Sequence, residues 1–148
     1  MRLRFLILGS KNERALAEEL IQFLELEKIK VRNLCGEISI QIAAALLKKS
    51  LLLIANDSGL THLAHALEVP VVAIYGPVDP TVYGPYPRTE KVLVAVSEGP
   101  VCRPCYQQFR YQGLCGGLEC LTGLTPDHVF QQVENSGLLK LPSFSFLK

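Results

Sequence analysis

The residues best suited to chemistry sit in one short stretch, Asn56-Asp57-Ser58-Gly59, with His62 close behind. An apolar run over 51–55, short enough for a buried strand, leads into it. Leu60, Leu63, Ala64 and Leu67 follow at i, i+3, i+4 and i+7, the spacing of one helix face. Strand, glycine-containing turn and helix in that order aim the first unbonded N–H groups of the helix out of the carboxyl end of a sheet. Such a helix start attracts anions, because free N–H groups and the macrodipole both favour negative charge. The turn therefore reads as a phosphate-handling element, with the Ser58 and Gly59 N–H groups on the anion. A carboxylate repels phosphate, so Asp57 is better matched to a ligand hydroxyl. His62, in the first helical turn, can donate an imidazole N–H to a phosphate oxygen. The competing explanation is plain helix capping by Asp57 or Ser58, which stabilises by about 1 kcal/mol without any ligand. A serine-hydrolase reading fails, because the nucleophile elbow needs glycines two residues either side of the serine and Ser58 has Asn56 and Leu60 there.

A second group of reactive side chains is Cys102, Cys105, Cys115 and Cys120, separated by two, nine and four residues. Two such pairs can close a tetrahedral structural zinc site. Reduced buried thiols are the competing reading, and disulfide or redox chemistry a third. The total of five cysteines is odd, and a domain of this size folds without disulfides, which argues against a secreted disulfide framework. Another turn, Gly9-Ser10-Lys11-Asn12-Glu13, also follows an apolar run. It is neither Gly-x-Gly-x-x-Gly nor a P-loop, so simple dinucleotide and ATPase readings fail. Gly76-Pro77-Val78-Asp79-Pro80 and Tyr83-Gly84-Pro85-Tyr86 build a long loop after a strand's carboxyl end, and loops this long in compact domains are often functional.

The elements that must position these groups follow from periodicity. Strands are expected over 3–8, 30–34, 51–55, 69–75 and 91–96. Helices are expected over 13–27, from Ser39 as N-cap to 47, over 59–67, and from Thr125 as N-cap with Pro126 at the first helical position to 135, where Gly137 stops the chain. Residues 78–88 read as a loop and 97–124 as irregular. Alternating strands and helices at this spacing imply an α/β, Rossmann-like doubly wound parallel sheet with ligands at the strand carboxyl ends. One domain over 1–137, carrying the cysteine segment at 100–124, is followed by an apolar tail over 138–148 without a period. The 49% hydrophobic and 20% charged content is globular, and a net charge of +1 gives no basic surplus for nucleic acid. No targeting segment is visible, and Lys48-Lys49-Ser50 interrupts the apolar stretch from 40 to 55, so neither a signal peptide nor a membrane span is expected. By elimination the expected location is cytoplasmic.

Asn56 to Leu67, then Pro70 to Pro80, then Tyr83 to Tyr86 together resemble the family-nine glycosyltransferases, which include the ADP-heptose:lipopolysaccharide heptosyltransferases. Cys102, Cys105, Cys115 and Cys120-Leu121, followed by Leu124-Thr125-Pro126-Asp127-His128-Val129, resemble that family's cysteine-bearing segment, so the likeness covers about residues 3–135. The resemblance implies the C-terminal, donor-binding half of a GT-B fold. It implies an inverting, metal-independent transfer from an ADP-heptose-type nucleotide-sugar in lipopolysaccharide core assembly. By the same resemblance Asp57 contacts the donor sugar, Ser58, Gly59 and His62 hold the pyrophosphate, Glu13 takes the ribose and Ile38 lies near the base. The family's catalytic base is an aspartate of the N-terminal domain, so no catalytic residue is expected in this chain and that domain is the expected partner. The intact enzyme is expected at the inner face of the inner membrane, and residues 138–148 are expected to expose apolar surface meant for the other domain. Two further readings stand beside this one: a stand-alone nucleotide-sugar binding module, and half of a nucleotide-sugar epimerase-like GT-B protein.

Overall fold

The computed structural model describes residues 4–26, 29–98, 102–107, 110–111, 115 and 117–140. The chain divides into two compact units, Met1–Leu46 and Leu47–Lys148.

In the first unit, β1 (Phe5–Ile7) leads through a 3-10 turn (Lys11–Glu13) into α1 (Arg14–Leu26), then β2 (Val31–Asn33) and α2 (Ile40–Leu47). β1 and β2 pair in parallel, with Phe5 opposite Val31 and Ile7 opposite Asn33. The helix expected from residue 13 begins one residue later, because Ser10 and Glu13 first close a tight turn. Ala17 and Ile21, one turn apart, are the buried residues of α1. Its first turn is tied to the end of β2 by polar groups. The Arg14 guanidinium donates to the Cys35 carbonyl at 3.2 Å and to Glu37 Oε1 at 2.7 Å. Asn33 donates to Glu18 at 2.7 Å, while its own oxygen accepts the Cys35 N–H at 3.0 Å. The Arg14–Glu37 pair is about half exposed, so solvent screens it and its role is to set geometry. Gly36 is required where it stands: its φ is +71° and a Cβ there would lie 2.8 Å from the Lys11 Cα. As expected, Ser39 caps α2, accepting the Ile42 N–H on its hydroxyl at 3.4 Å.

The second unit is built on β3 (Leu53–Asn56), β4 (Val71–Tyr75) and β5 (Val92–Val96), all parallel and in the order β3-β4-β5. β4 lies at the centre, and Val71, Val72, Ala73 and Tyr75 are fully buried, as a parallel strand covered on both faces requires. α3 (Gly59–Ala66) connects β3 to β4, and α4 (Pro80–Tyr83) lies between β4 and β5. After β5 come a two-residue hairpin of β6 (Tyr106–Gln107) and β7 (Arg110–Tyr111), then α5 (Glu119–Thr122) and α6 (Pro126–Ser136). Val72 and Ala95 form a core with Leu138, against which Ile74, Leu93, Leu124, Val129 and Val133 pack.

The parallel α/β architecture agrees with the sequence reading; among the described residues the strands fall into two parallel sheets and one short antiparallel hairpin. Three local expectations are corrected. The loop at 78–88 contains α4, started by the same Asx-cap and proline logic as α6: the Asp79 carboxylate accepts the Thr81 N–H at 2.8 Å, with Pro80 at the first helical position. The irregular stretch at 97–124 contains β6, β7 and α5, all too short to show a period. The tail does not begin as exposed apolar surface at residue 138. Leu138–Lys140 form a 3-10 turn, and Leu138 is 1% exposed in the core beside Val72 and Ala95. Residues 141–148 lie outside the described residues. No helix among the described residues is long and apolar enough to cross a membrane.

Candidate functional site

The turn between β3 and α3 is held from below and left open above. From below, the Asp57 N–H donates to the Ile74 carbonyl at 3.0 Å, extending the β3–β4 ladder by one residue. The buried Thr61 hydroxyl donates to the Asn56 carbonyl at 2.8 Å, and the Thr61 N–H to the Ser58 carbonyl at 3.1 Å. These bonds fix the first turn of α3 on the strand that precedes it. Ser58 occupies the N-cap with an extended backbone, φ −159° and ψ 166°, yet its hydroxyl makes no capping bond. A Cβ built on Gly59 meets nothing within 4 Å, so open space lies directly above the helix start. Asp57, Ser58, Gly59 and His62 are all exposed around that space. Free N–H groups, a free hydroxyl, an imidazole one turn on and a carboxylate at the edge can accept an anion and one of its hydroxyl-bearing substituents.

The structure adds a residue that sequence reading passed over. Tyr75 ends β4, is fully buried, and donates its hydroxyl to the Tyr83 carbonyl at 3.5 Å. Burial pushes its phenol up to about 12; the Asp57 charge and a hydrogen bond with Asp57 add to that effect, and Arg88 opposes it. The available signal was an aromatic with a polar tip closing a buried strand, because a buried tyrosine hydroxyl needs a partner. Arg88 donates to the Pro80 carbonyl at 3.0 Å.

Of the six expected donor contacts, four converge on this turn. The other two, Glu13 and Ile38, belong to the first unit. The Glu13 Oε2 accepts both the Ser10 N–H and the Ser10 hydroxyl, each at 2.7 Å, and these bonds hold its carboxyl below the usual range. Glu13 is thus the closing half of a capping box. Ile38 is half-buried ahead of the Ser39 cap.

None of the five cysteines is in a disulfide. Cys35, Cys105 and Cys120 are buried, Cys102 and Cys115 exposed. The Cys105 thiol donates to the Cys102 carbonyl at 3.3 Å, and burial, then that residue's contact, then the other cysteine charges push it up. The Leu118 N–H donates to the Cys115 sulfur at 3.2 Å. Among the described residues no three His, Cys, Asp or Glu side chains are grouped as a metal cage, while Cys102, Cys115 and Cys120 all lie near enough to act on the Cys105 thiol. An open cavity of about 640 Å³ between the end of β5 and α6 is lined by Glu98, Glu119, His128, Gln132 and others, and contains none of the expected donor residues.

Comparison with known proteins identifies the family. Residues 3–111 match glycosyltransferase family 9 (heptosyltransferase). The lipooligosaccharide heptosyltransferase 2 of Campylobacter jejuni serotype O:2 is 33% identical over 134 residues, covering 88% of this chain and 40% of that protein. The lipopolysaccharide heptosyltransferase 2 of Escherichia coli K12 is 29% identical over 129 residues, 86% of this chain and 35% of that one. The solved structure of the E. coli ADP-heptose lipopolysaccharide heptosyltransferase II superposes with a TM-score of 0.64 at 28% identity, covering 91% of this chain and 36% of that chain. The chain therefore spans roughly two fifths of the length of these relatives. With the family matched across most of its length, in sequence and in parallel α/β architecture, the chain belongs to glycosyltransferase family 9, the heptosyltransferases.

Proposed function

We propose that this chain is the donor-binding half of an inverting heptosyltransferase of lipopolysaccharide core assembly, the C-terminal half of a GT-B enzyme. The observation that carries the reading is the helix start at Ser58–Gly59, unclosed by its own side chain and open to space, in a chain of this family. An ADP-heptose-type donor seats its diphosphate on the Ser58 and Gly59 N–H groups, with His62 donating from the next turn. The Asp57 carboxylate accepts from a sugar hydroxyl, Glu13 takes the ribose through the oxygen its capping box leaves over, and Ile38 lies near the base. In the transfer, an acceptor sugar hydroxyl loses its proton to a base outside these 148 residues and its oxygen attacks the anomeric carbon. The bond from that carbon to the β-phosphate oxygen breaks and ADP leaves. Charge builds on the diphosphate as it does so, and fixed donors at the helix start stabilise that charge in the transition state. The reaction needs no metal on the donor. The chain alone binds donor without transferring it. With the N-terminal domain the enzyme works in the cytoplasm, at the inner face of the inner membrane.

Titration calorimetry with ADP, UDP and ADP-heptose tests this. Binding of the two adenine ligands with UDP excluded is the expected result. Preference for UDP would favour an epimerase-like protein, and absence of any binding would overturn the donor-site reading. Asp57→Ala should weaken ADP-heptose more than ADP, and His62→Ala should weaken both. Equal losses for the two ligands with Asp57→Ala would reduce Asp57 to a cap. Transfer by the chain alone, in the presence of a heptose acceptor, would overturn the assignment of the base to another segment.

For the cysteine segment the proposal is reduced thiols, supported by the Cys105 sulfur lying 3.3 Å from the Cys102 carbonyl and by the burial that pushes that thiol up. Elemental analysis of the purified chain should find well under one metal ion per chain; one zinc per chain, bound by Cys102, Cys105, Cys115 and Cys120, would overturn it.

A further inference from the structure

We propose that Tyr75 is a positioning residue for the donor site, its buried hydroxyl holding the Asp57 carboxylate. The inference rests on the donor-site reading above and names a residue which that reading does not use.

Register places the two groups side by side. Asn56 pairs with Ile74 in the parallel ladder, and the Asp57 N–H bonds the Ile74 carbonyl, so Asp57 and Tyr75 are the next residues out on neighbouring strands. Tyr75 is also paired on its other side, with Val96 of β5, and is fully buried, so its ring has no freedom to leave. Its bond to the Tyr83 carbonyl is long at 3.5 Å and therefore weak. The nearby Asp57 charge is the stronger acceptor for that proton, since hydrogen bonds to ionised groups are roughly twice as strong as neutral ones. Asp57 itself is exposed, and the Ser58 side chain beside it makes no capping bond. A carboxylate that must meet one sugar hydroxyl gains from a rigid donor behind it, because the ordering is then complete before the ligand arrives. The same hydroxyl oxygen lies 3.5 Å from the carbonyl of Tyr83, the last residue of α4, so the loop over residues 76–88 passes close to this contact.

Tyr75→Phe removes the hydroxyl and keeps the ring. It should weaken ADP-heptose about fivefold or more while changing ADP less than about twofold, in a chain whose Tm stays within a few degrees of the parent. Tyr75→Phe combined with Asp57→Ala should be no weaker for ADP-heptose than Asp57→Ala alone, since the two act through one contact. Unchanged ADP-heptose affinity, equal losses for ADP and ADP-heptose, or additive losses in the double variant would each overturn the proposal. A ligand-free measurement separates it from the donor-site reading. The Tyr75 phenol, followed by carbon-13 NMR of labelled tyrosine, should titrate near 12 in the parent and move toward its ordinary value in Asp57→Asn. Failure of the parent to bind any adenine nucleotide would sink the donor site; an unmoved phenol in Asp57→Asn would sink the contact even where the donor binds.

Discussion

Two helix starts in this chain stand in the same local context, each following a parallel strand, and they treat their polar residues in opposite ways. At 10–13 the turn closes on itself. The Ser10 N–H and hydroxyl both go to Glu13, the Glu13 N–H goes back to the Ser10 carbonyl, and one of the two glutamate oxygens is spent on the cap. At 57–62 the serine at the N-cap makes no capping bond, the glycine after it faces open space, and fixation comes from underneath through Thr61 and Asp57. A closed cap stabilises its helix and leaves little for a ligand. An open cap supported from the strand side forgoes that local stability and keeps its donors available. Residue types alone make these turns look alike, since both offer a serine and an acid. What separates them is whether the acid stands after the serine, where it can fold back, or before it, where it cannot.

The comparison can be broken at several points, beginning with the largest effect. Gly59→Leu places a side chain in space that is empty in the folded chain, so Tm should hold while ADP affinity falls about tenfold or more in calorimetry. Retained affinity would mean that the open cap is not the anion site. Next come the two serines. Ser10→Ala should cost about 1 kcal/mol of stability in denaturant titration and leave ADP affinity within about twofold, whereas Ser58→Ala should do the reverse, with a stability change below about 0.5 kcal/mol and a several-fold loss of ADP. If both behave alike, the distinction between closed and open caps fails.

Two smaller effects depend on pH. The Tyr75 phenol is raised, so the folded chain keeps a proton that the unfolded chain releases first. Stability from this group is intact below about 10 and falls as pH rises towards about 12. Tyr75→Phe should flatten that part of an alkaline unfolding curve; an identical curve would mean that another group sets it. The Glu13 carboxyl is lowered, chiefly by Ser10, so its contribution is present above the ordinary glutamate value and fades as pH falls through the lowered one. Glu13→Gln should remove that acid-side slope. If Glu13 also holds ribose, ADP should weaken a few-fold in the same variant.

Much of this was legible beforehand, for identifiable reasons. β4 announced itself as a run of β-branched residues ended by glycine and proline, and α6 by threonine, proline and a glycine stop, because these signals are local. α4 carried the same start signal at Asp79-Pro80 and was read as loop only because the helix is a single turn. β6, β7 and α5 were invisible, since two to four residues cannot display a period. Leu138 gave no sign of joining the core: it follows the Gly137 that ends α6, and its burial depends on where α6 lies against β4 and β5. Likewise nothing in the spacing of the cysteines told which would be buried.

The sequence by itself determined the order of the longer strands and helices, the parallel α/β class and the turn at which a ligand should be sought, because hydrophobic period, cap chemistry and turn residues act over a few positions. Only the tertiary structure decided that Ser58 leaves its cap open while Ser10 closes its own, that Gly59 faces empty space, and that Tyr75 lies next to Asp57 on the neighbouring strand. Asp57 and Tyr75 are neighbours through the register of β3 on β4, a contact between strands that no local pattern encodes.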